Sequence, residues 1–381
     1  MDWDVSTVGK EFEIKLGKML DAEKNVGIPK PYLGNKAVQW DRIEINNLPT
    51  VPMSRTDLGA YRLRKGDLLV CEGGEVGRAC IWNAPIEECY FQKALHRLRP
   101  IRGFDPKLMA AFLKQWSERG VLANYVTQTS IAHLPREKFL QIPLPVPPAS
   151  EQHAISTVLS DINSLINGLE SLITKKRNLK QAAMQQLLTG QTRLPGFSGA
   201  WEVKRLGDVA EIIMGQSPSS SNYNEKGLGL PLIQGNADIA NRKTIRRIFT
   251  TEITKLGKLG DILMSVRAPV GEISRAMFDV CLGRGVCAIR YTNDFMYHYL
   301  VGQEPRWARH SKGSTFESVN SADIKLLNLC LPTDASEQVA IAAILSDMDI
   351  ELTALELQRE KTCDIRQGMM QELLTGKTRL I

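Results

Sequence analysis

Two long stretches of the chain repeat apolar residues in a three-per-seven pattern. In the first, Ile155, Val158, Leu159, Ile162, Leu165, Ile166, Leu169, Leu172, Ile173, Leu179, Ala183 and Leu187 occupy heptad positions a, d and e. That spacing predicts a helix with an apolar stripe that needs a partner. In the second, Ile341, Ile344, Leu345, Met348, Leu352, Leu355, Ile365, Met369 and Leu373 make the same stripe. Pro147 and Pro148 cannot lie inside the first helix, Ser150 offers an N-cap, and Glu151 suits the positive end of the helix dipole. Gly190 is a natural stop, and Pro332, Ser336 and Gly376 punctuate the second stretch in the same way. Residues 149–194 align with 335–380 without a gap, and 22 of 46 positions are identical. Each helix is expected to run ~36–40 residues, or ~55–60 Å, and is marginal without a partner. Two equivalent helices related by a two-fold axis pair antiparallel if they pack lengthwise. Lys176, Lys180, Gln358, Arg359 and Thr362 make the middle of that seam polar, as residues that set register do. Gly168 sits in the middle of the first helix, where close packing is its one apparent use.

Between these helices the period shortens. Short apolar runs are separated by turn residues, which predicts strands. Trp3, Val5, Gly9, Glu13, Ile14 and Gly17 are echoed by Trp201, Val203, Gly207, Glu211, Ile212 and Gly215, and KGDLLVCEGGEVGRA at 65–79 by LGDILMSVRAPVGEIS at 259–274. Residues 104–116 and 294–303 each read as one helix. The fold class is α+β: two pseudo-symmetric β-rich modules separated by two long helices that form an antiparallel coiled coil. The expected boundaries are 1–147, 148–194, 195–331 and 332–381. The frameworks recur but the loops differ, which fits two related heads that read different things.

Composition narrows the function. The N-terminus has neither a basic nor an apolar leader region, and no stretch approaches the ~20 apolar residues that span a bilayer, so a cytoplasmic protein is expected. Seven cysteines without a CxxC support neither a disulfide framework nor a zinc site. Net charge is +6, with basic clusters at 241–258, 61–65 and 96–99. Their presence in both modules points to a polyanion. Enzyme motifs are missing. Val146-Pro147-Pro148-Ala149 lacks the residues of an adenine-methylation motif, and TGKT at 375–378 has Gln371 where a phosphate loop needs glycine. Asp67 with Glu75, or Asp261 with Glu272, has no lysine at nuclease spacing.

Taken together, Leu144-Pro145 and Leu331-Pro332, Ser-Glu-Gln at 150–152 and 336–338, Leu-Ser-Asp at 159–161 and 345–347, and LLTGxTRL at 187–194 and 373–380 resemble the specificity (S) subunits of type I restriction–modification systems. Trp201-Glu202-Val203, Leu206-Gly207, Gly260-Asp261-Ile262-Leu263 and Gly313-Ser314-Thr315 extend the match over nearly the whole chain. The first module has TQTS at 127–130 where the second has KGST at 312–315. The resemblance implies a non-catalytic reader of double-stranded DNA. It implies two target recognition domains that each read half of an asymmetric, interrupted site, and helices that dock two methyltransferase (M) subunits. S-adenosylmethionine would be bound by those M subunits, and ATP and Mg by two restriction (R) subunits that can join them. Half-sites on one face of B-DNA lie ~34–36 Å apart, which leaves a gap of ~6 bp when each module reads ~4 bp.

Arginine and lysine are expected on phosphates, and Arg, Asn, Gln, Ser or Thr on base edges. The candidates in the first module are Lys18, Asn35, Lys36, Arg78, Gln92, Lys93, Gln128 and Ser130. Those in the second are Gln216, Ser217, Asn222, Tyr223, Asn236, Arg242, Lys243, Arg246, Arg247, Arg267, Arg284 and Thr315. Three other readings stay open on sequence: a two-module nuclease or glycosidase, a scaffold that binds protein or glycan, and a specificity subunit of a defence system without a translocating subunit.

Overall fold

The computed structural model describes residues 3–380 apart from 22, 24, 129–131 and 314–318. The chain forms two compact units, residues 1–171 with 357–381, and residues 172–356.

In the first unit, the strand Leu68–Cys71 lies inside a four-stranded antiparallel sheet ordered Phe12–Leu16, Leu95–Pro100, Leu68–Cys71, Ala79–Ile81. Successive side chains on a strand leave by opposite faces. Leu68 and Val70 therefore enter one core with Phe12, Phe104 and Phe112, while Leu69 and Cys71 enter another with Leu33, Trp82 and Phe91. A strand between two cores is apolar at every position, which explains the unbroken run LLVC. Ile28–Leu33 closes the second core, paired antiparallel with Thr50–Met53 and parallel with Tyr90–Phe91. The helix Pro106–Glu118 starts where Asp105 accepts from the Lys107 amide at 2.7 Å, and it buries Leu108, Met109, Phe112, Leu113 and Trp116.

The second unit repeats this plan. Glu211–Met214, Val286–Arg290, Ile262–Ser265 and Ile273–Arg275 take the same order, extended by Lys243–Thr244 and Ile239–Ala240. Ile262 and Met264 point into one core and Leu263 into another. Leu230–Ile233 runs parallel to Val280–Leu282. The helix expected at 294–303 is longer, Phe295–Gly313, and contains Pro305.

Each sheet is pinned by one buried carboxylate. Asp67 takes the Arg99 guanidinium at 2.5 and 2.8 Å and the Arg64 amide at 2.8 Å. Asp261 takes Arg290 at 2.9 and 3.1 Å and the Lys258 amide at 2.7 Å. These acids hold the framework.

The long helices are Ala149–Leu187 and Ala335–Leu373, each of 39 residues. They start one residue before the expected caps, so Ser150 and Ser336 lie within the first turn. Asp334 caps the second helix by accepting from the Ser336 amide at 2.8 Å. Gly190 and Gly376 end the two stretches with φ of 71° and 69°. In the first unit Arg366 donates to Asn163 at 3.2 Å, and Arg359 lies 3.8 Å from Glu170. In the second unit Lys176 meets Glu351 at 2.6 Å, Arg177 meets Glu356 at 2.5 Å, and Lys180 meets Asp349. From Asn163 to Glu170 the partner number falls from 366 to 359, and from Lys176 to Lys180 it falls from 351 to 349, so the helix portions within each unit are antiparallel.

The seam of the first helix follows 152, 155, 159, 162, 166, 169, 173, 176, 180, 183 and 187, alternating steps of three and four. Lys176 and Lys180 occupy seam positions and are answered by carboxylates. Two corrections follow. Leu165, Leu172 and Leu179 are 50%, 38% and 46% exposed, and Ile344 and Ile365 lie outside as well. A single partner helix covers two rows of an a/d/e stripe and leaves the third uncovered. A Cβ at Gly168 would meet no atom within 4 Å, so close packing does not explain that glycine.

The repeated motifs are clamps between helix and module. Glu151 accepts from Trp3 Nε1 at 3.0 Å and takes Arg379 through two nitrogens at 2.7 Å. Glu337 takes Arg193 at 2.6 and 2.7 Å. The amides of Gln152 and Gln338 donate to Pro147 O and Pro332 O, each at 2.9 Å. Ile155, Leu159, Met370 and Leu373 complete the first module's core, and Leu187, Ile341 and Leu345 the second's. Among the described residues no helix is long and apolar enough to cross a membrane.

Candidate nucleic-acid interface

In both modules three loops meet at one edge of the central sheet, held by matching backbone hydrogen bonds. In the second module the Ser265 amide reaches Glu272 O at 2.9 Å, Val266 N reaches Gly285 O at 2.9 Å, and Gly283 N reaches Ile233 O at 2.8 Å. In the first, Cys71 N reaches Arg78 O at 2.8 Å, Glu72 N reaches Ala94 O at 2.9 Å, and Gln92 N reaches Leu33 O at 3.1 Å. Gly17 and Gly215 let the chain pass against the neighbouring backbone. A Cβ there would lie 2.2 Å from Gln92 O or 2.0 Å from Gly283 O. This correspondence pairs Gly73 with Arg267, Lys93 with Arg284, and Lys18 with Gln216.

The second module's loops enclose a polar cavity of about 230 Å³ lined by Ser217, Gln234, Gly235, Asn236, Ser265, Arg267, Ala268, Arg284 and Gly285. Four residues predicted from sequence meet here: Ser217, Asn236, Arg267 and Arg284. Arg267 and Arg284 are exposed, and among the described residues neither makes an ion pair. Ser217 Oγ accepts from Arg284 N at 3.1 Å and from its Nε at 3.4 Å. Ser265 Oγ donates to Arg267 O and Pro269 O at 2.9 and 2.8 Å, which fixes the loop that carries Arg267. Asn236 Oδ1 is buried in the cavity wall and has no hydrogen-bond partner among the described residues. Gln234, absent from the sequence-derived candidates, donates to Tyr223 OH at 2.8 Å. The QGN that ends the run LPLIQGN is its only signal, and it reads there as a strand end.

Other candidates in this module have structural partners. Arg242 binds Glu304 at 2.5 and 2.7 Å and Ile273 O at 2.9 Å, and Arg247 binds Asp238 at 3.0 Å. Asn222 donates to Glu252 at 2.7 Å. Tyr223 donates to Pro218 O at 3.1 Å. Arg246 stacks on Phe278 at 4.6 Å. Gln216 and Lys243 are exposed. Thr315 lies outside the described residues.

In the first module Lys36 and Lys93 are exposed, and Asn35 and Gln92 are half-buried beside them. Lys18 is instead buried against Asp57 at 2.8 Å. Arg78 is turned inward to Glu75 at 3.0 Å and Asn35 O at 2.9 Å. Gln128 ends the strand Thr127–Gln128, whose partner Ala132–His133 bridges to Gly73; Ser130 lies outside the described residues. The basic run at 96–99 is core: His96 and Arg97 are buried, with Arg97 on Glu13 at 2.8 Å. Leu95 to Leu98 are all buried, so both faces of this strand are covered, and a charge there needs a partner.

Exposed guanidinium, ammonium and amide groups over a concave polar surface can donate to phosphates and base edges. Among the described residues no three His, Cys, Asp or Glu side chains cluster as a metal site.

The model of the type I restriction modification DNA specificity domain matches residues 1–180 and 199–362. The chain is 27% identical over 402 residues to the putative type I restriction enzyme MjaX specificity subunit of Methanocaldococcus jannaschii, covering 100% of this chain and 94% of that protein. It is 23% identical to the MjaVIII specificity subunit of the same organism, over 73% of this chain and 69% of the relative. Among solved structures, the S subunit of a type I restriction–modification system from M. genitalium superposes with a TM-score of 0.68 at 18% identity, covering 98% of this chain and 96% of that one. A chain from a study of the assembly and conformational transition of the type I R-M system gives 0.59 at 22% identity, with 99% and 98% covered. With two copies of one scaffold matched in turn by that model, the chain belongs to the type I restriction modification DNA specificity family, that of the specificity subunits of type I restriction–modification systems.

Proposed function

We propose that the chain reads an asymmetric, bipartite DNA site with a gap of ~6 bp and carries the subunits that act on it. One observation supports this best. The two modules share a framework, with matching backbone bonds between their loops, yet place different residues at the same loop positions: Gly73 against Arg267, and Lys93 against Arg284. Identical readers would fit a palindrome, whereas unlike readers fit two different half-sites. The uncovered leucines 165, 172 and 179, one heptad apart, give the first helix an apolar row for a methyltransferase subunit. The chain is the non-catalytic subunit; in this reading S-adenosylmethionine is held by the methyltransferase subunits, and ATP and Mg by restriction subunits. A cytoplasmic location goes with a DNA target.

Genome-wide mapping of methylated adenines, in cells expressing the chain with its cognate methyltransferase subunits, tests this. The expected motif has two dissimilar half-sites at one fixed spacing. A continuous palindrome, or a methylome that does not change, would contradict it.

A further inference from the structure

We propose that Arg267 and Arg284 read guanines in the half-site taken by the second module, and that the first module carries no arginine at the matching places. This rests on the DNA-reading function above and names the chemistry of one half-site.

Half of the second module's arginines with described side chains are already paired. Arg242, Arg247, Arg275 and Arg290 are paired with carboxylates. Arg267 and Arg284 are not, and both stand at the mouth of the polar cavity. Ser217 Oγ holds Arg284 through its backbone amide and Nε. That contact orients the guanidinium, and among the described residues its two terminal nitrogens have no partner, which leaves them as a fork of donors. Guanine presents O6 and N7 in the major groove as two adjacent acceptors, and a bidentate arginine fits them. Arg267 is carried by a loop fixed at Ser265 Oγ and tied to the loop of Arg284 by the bond from Val266 N to Gly285 O, 2.9 Å long. Both forks are therefore mounted on fixed backbone, as readout requires; a phosphate contact tolerates a mobile point charge.

The first module keeps the mounting and lacks the forks. Glu72 N bonds to Ala94 O at 2.9 Å, in the place of Val266 and Gly285, so Gly73 and Lys93 stand where the arginines would be. Arg78, which is close by, is turned onto Glu75 and Asn35 O.

The test compares methylomes from cells expressing the chain, with its methyltransferase subunits, as wild type, Arg267→Ala, Arg284→Ala or Lys93→Ala. The wild-type motif should contain guanine in one half-site. Each arginine variant should make one guanine position there degenerate and leave the other half-site as it was, and Lys93→Ala should leave the second module's half-site as it was. A half-site without guanine, degeneracy elsewhere, or a uniform loss of methylation with the motif intact would overturn the assignment. Where a variant abolishes methylation, the wild-type complex is titrated with duplexes that carry 7-deazaguanine at those positions. Loss of N7 should weaken binding ~5- to 100-fold per position, and unchanged affinity would overturn the proposal. If no bipartite motif is found at all, the underlying function fails, and this assignment with it.

Discussion

Arg379 grips the carboxylate of Glu151, 228 residues earlier in the chain, through Nε and Nη2, both at 2.7 Å. Trp3 donates to the same carboxylate and lies under the guanidinium at 5.5 Å. The end of the second repeat, beyond its helix, thus locks the first turn of the first repeat to its own module. Removing one partner of a largely buried ion pair leaves the other uncompensated, so Arg379→Ala should cost about 3 kcal/mol. Arg193→Ala should also destabilise, through the loss of its bonds to Glu337. Urea titration of each variant measures both. A change below ~0.5 kcal/mol would show that the clamp is open in solution.

The two tryptophans should respond differently. Trp3 Nε1 is bonded to Glu151, whereas Trp201 Nε1 is buried without a partner among the described residues. Trp3→Phe removes a hydrogen bond to a charged group and should destabilise by about 1.5–3 kcal/mol, whereas Trp201→Phe removes an unsatisfied donor and should be close to neutral. Equal losses in thermal melts would contradict this asymmetry.

Charge reversal reports the helix register. Lys180 meets Asp349 across the seam. Lys180→Glu should destabilise by ~1–2 kcal/mol, and adding Asp349→Lys should restore most of it. Rescue by Glu356→Lys in its place would mean a different register.

Acid should act in two windows. Burial pushes His298 down to about 4 from 6.5, with its Nε2 on Ser346 Oγ at 3.0 Å. The unfolded chain takes up this proton first, so stability should fall between pH 6.5 and 4, by up to ~3 kcal/mol. His298→Gln should flatten that limb of a stability–pH curve. Glu151 acts lower. Hydrogen bonds from Arg379, with Trp3 adding to them, hold its carboxyl below the usual range. Its contribution is therefore present above the unfolded value and lost as pH falls through the folded one. If His298→Gln leaves the slope between pH 6.5 and 4 as it was, the first assignment is wrong.

Exposed lysines should carry the salt dependence of DNA binding. Lys36, Lys93 and Lys243 are exposed and make no ion pair among the described residues. Replacing a phosphate-binding lysine with alanine should lower the slope of log affinity against log salt by ~0.9. Arg242→Ala should leave that slope unchanged and lower stability, because its guanidinium is held by Glu304.

These contrasts show what a linear reading can resolve. The long helices were legible because a 3.5-residue seam is written locally, in steps of three and four. The repeat was legible because two copies share their glycines and buried runs. Charge was not. Arg242 looks free beside Lys243 until the chain brings Glu304 to it, 62 residues later. Arg97 looks like part of a basic patch until the pleat turns it inward. Leu165 looks like seam because hydrophobicity alone does not say how many neighbours a helix has. Arg267 and Arg284 were legible only as members of a longer group, since a free guanidinium is defined by acids that do not come near it.

The second unit is one unbroken span, 172–356, while the first waits for residues 357–381. On a ribosome moving at 5–20 residues per second, those intervening residues take ~10–40 s to appear. During that interval the first module is already synthesised but lacks Met370, Leu373 and Leu374 from its core. Biogenesis therefore runs against the order of synthesis: the later-born half can finish first, and the earlier one stays an open nascent surface, exposed to chaperones and proteases, until residues 357–381 have been made.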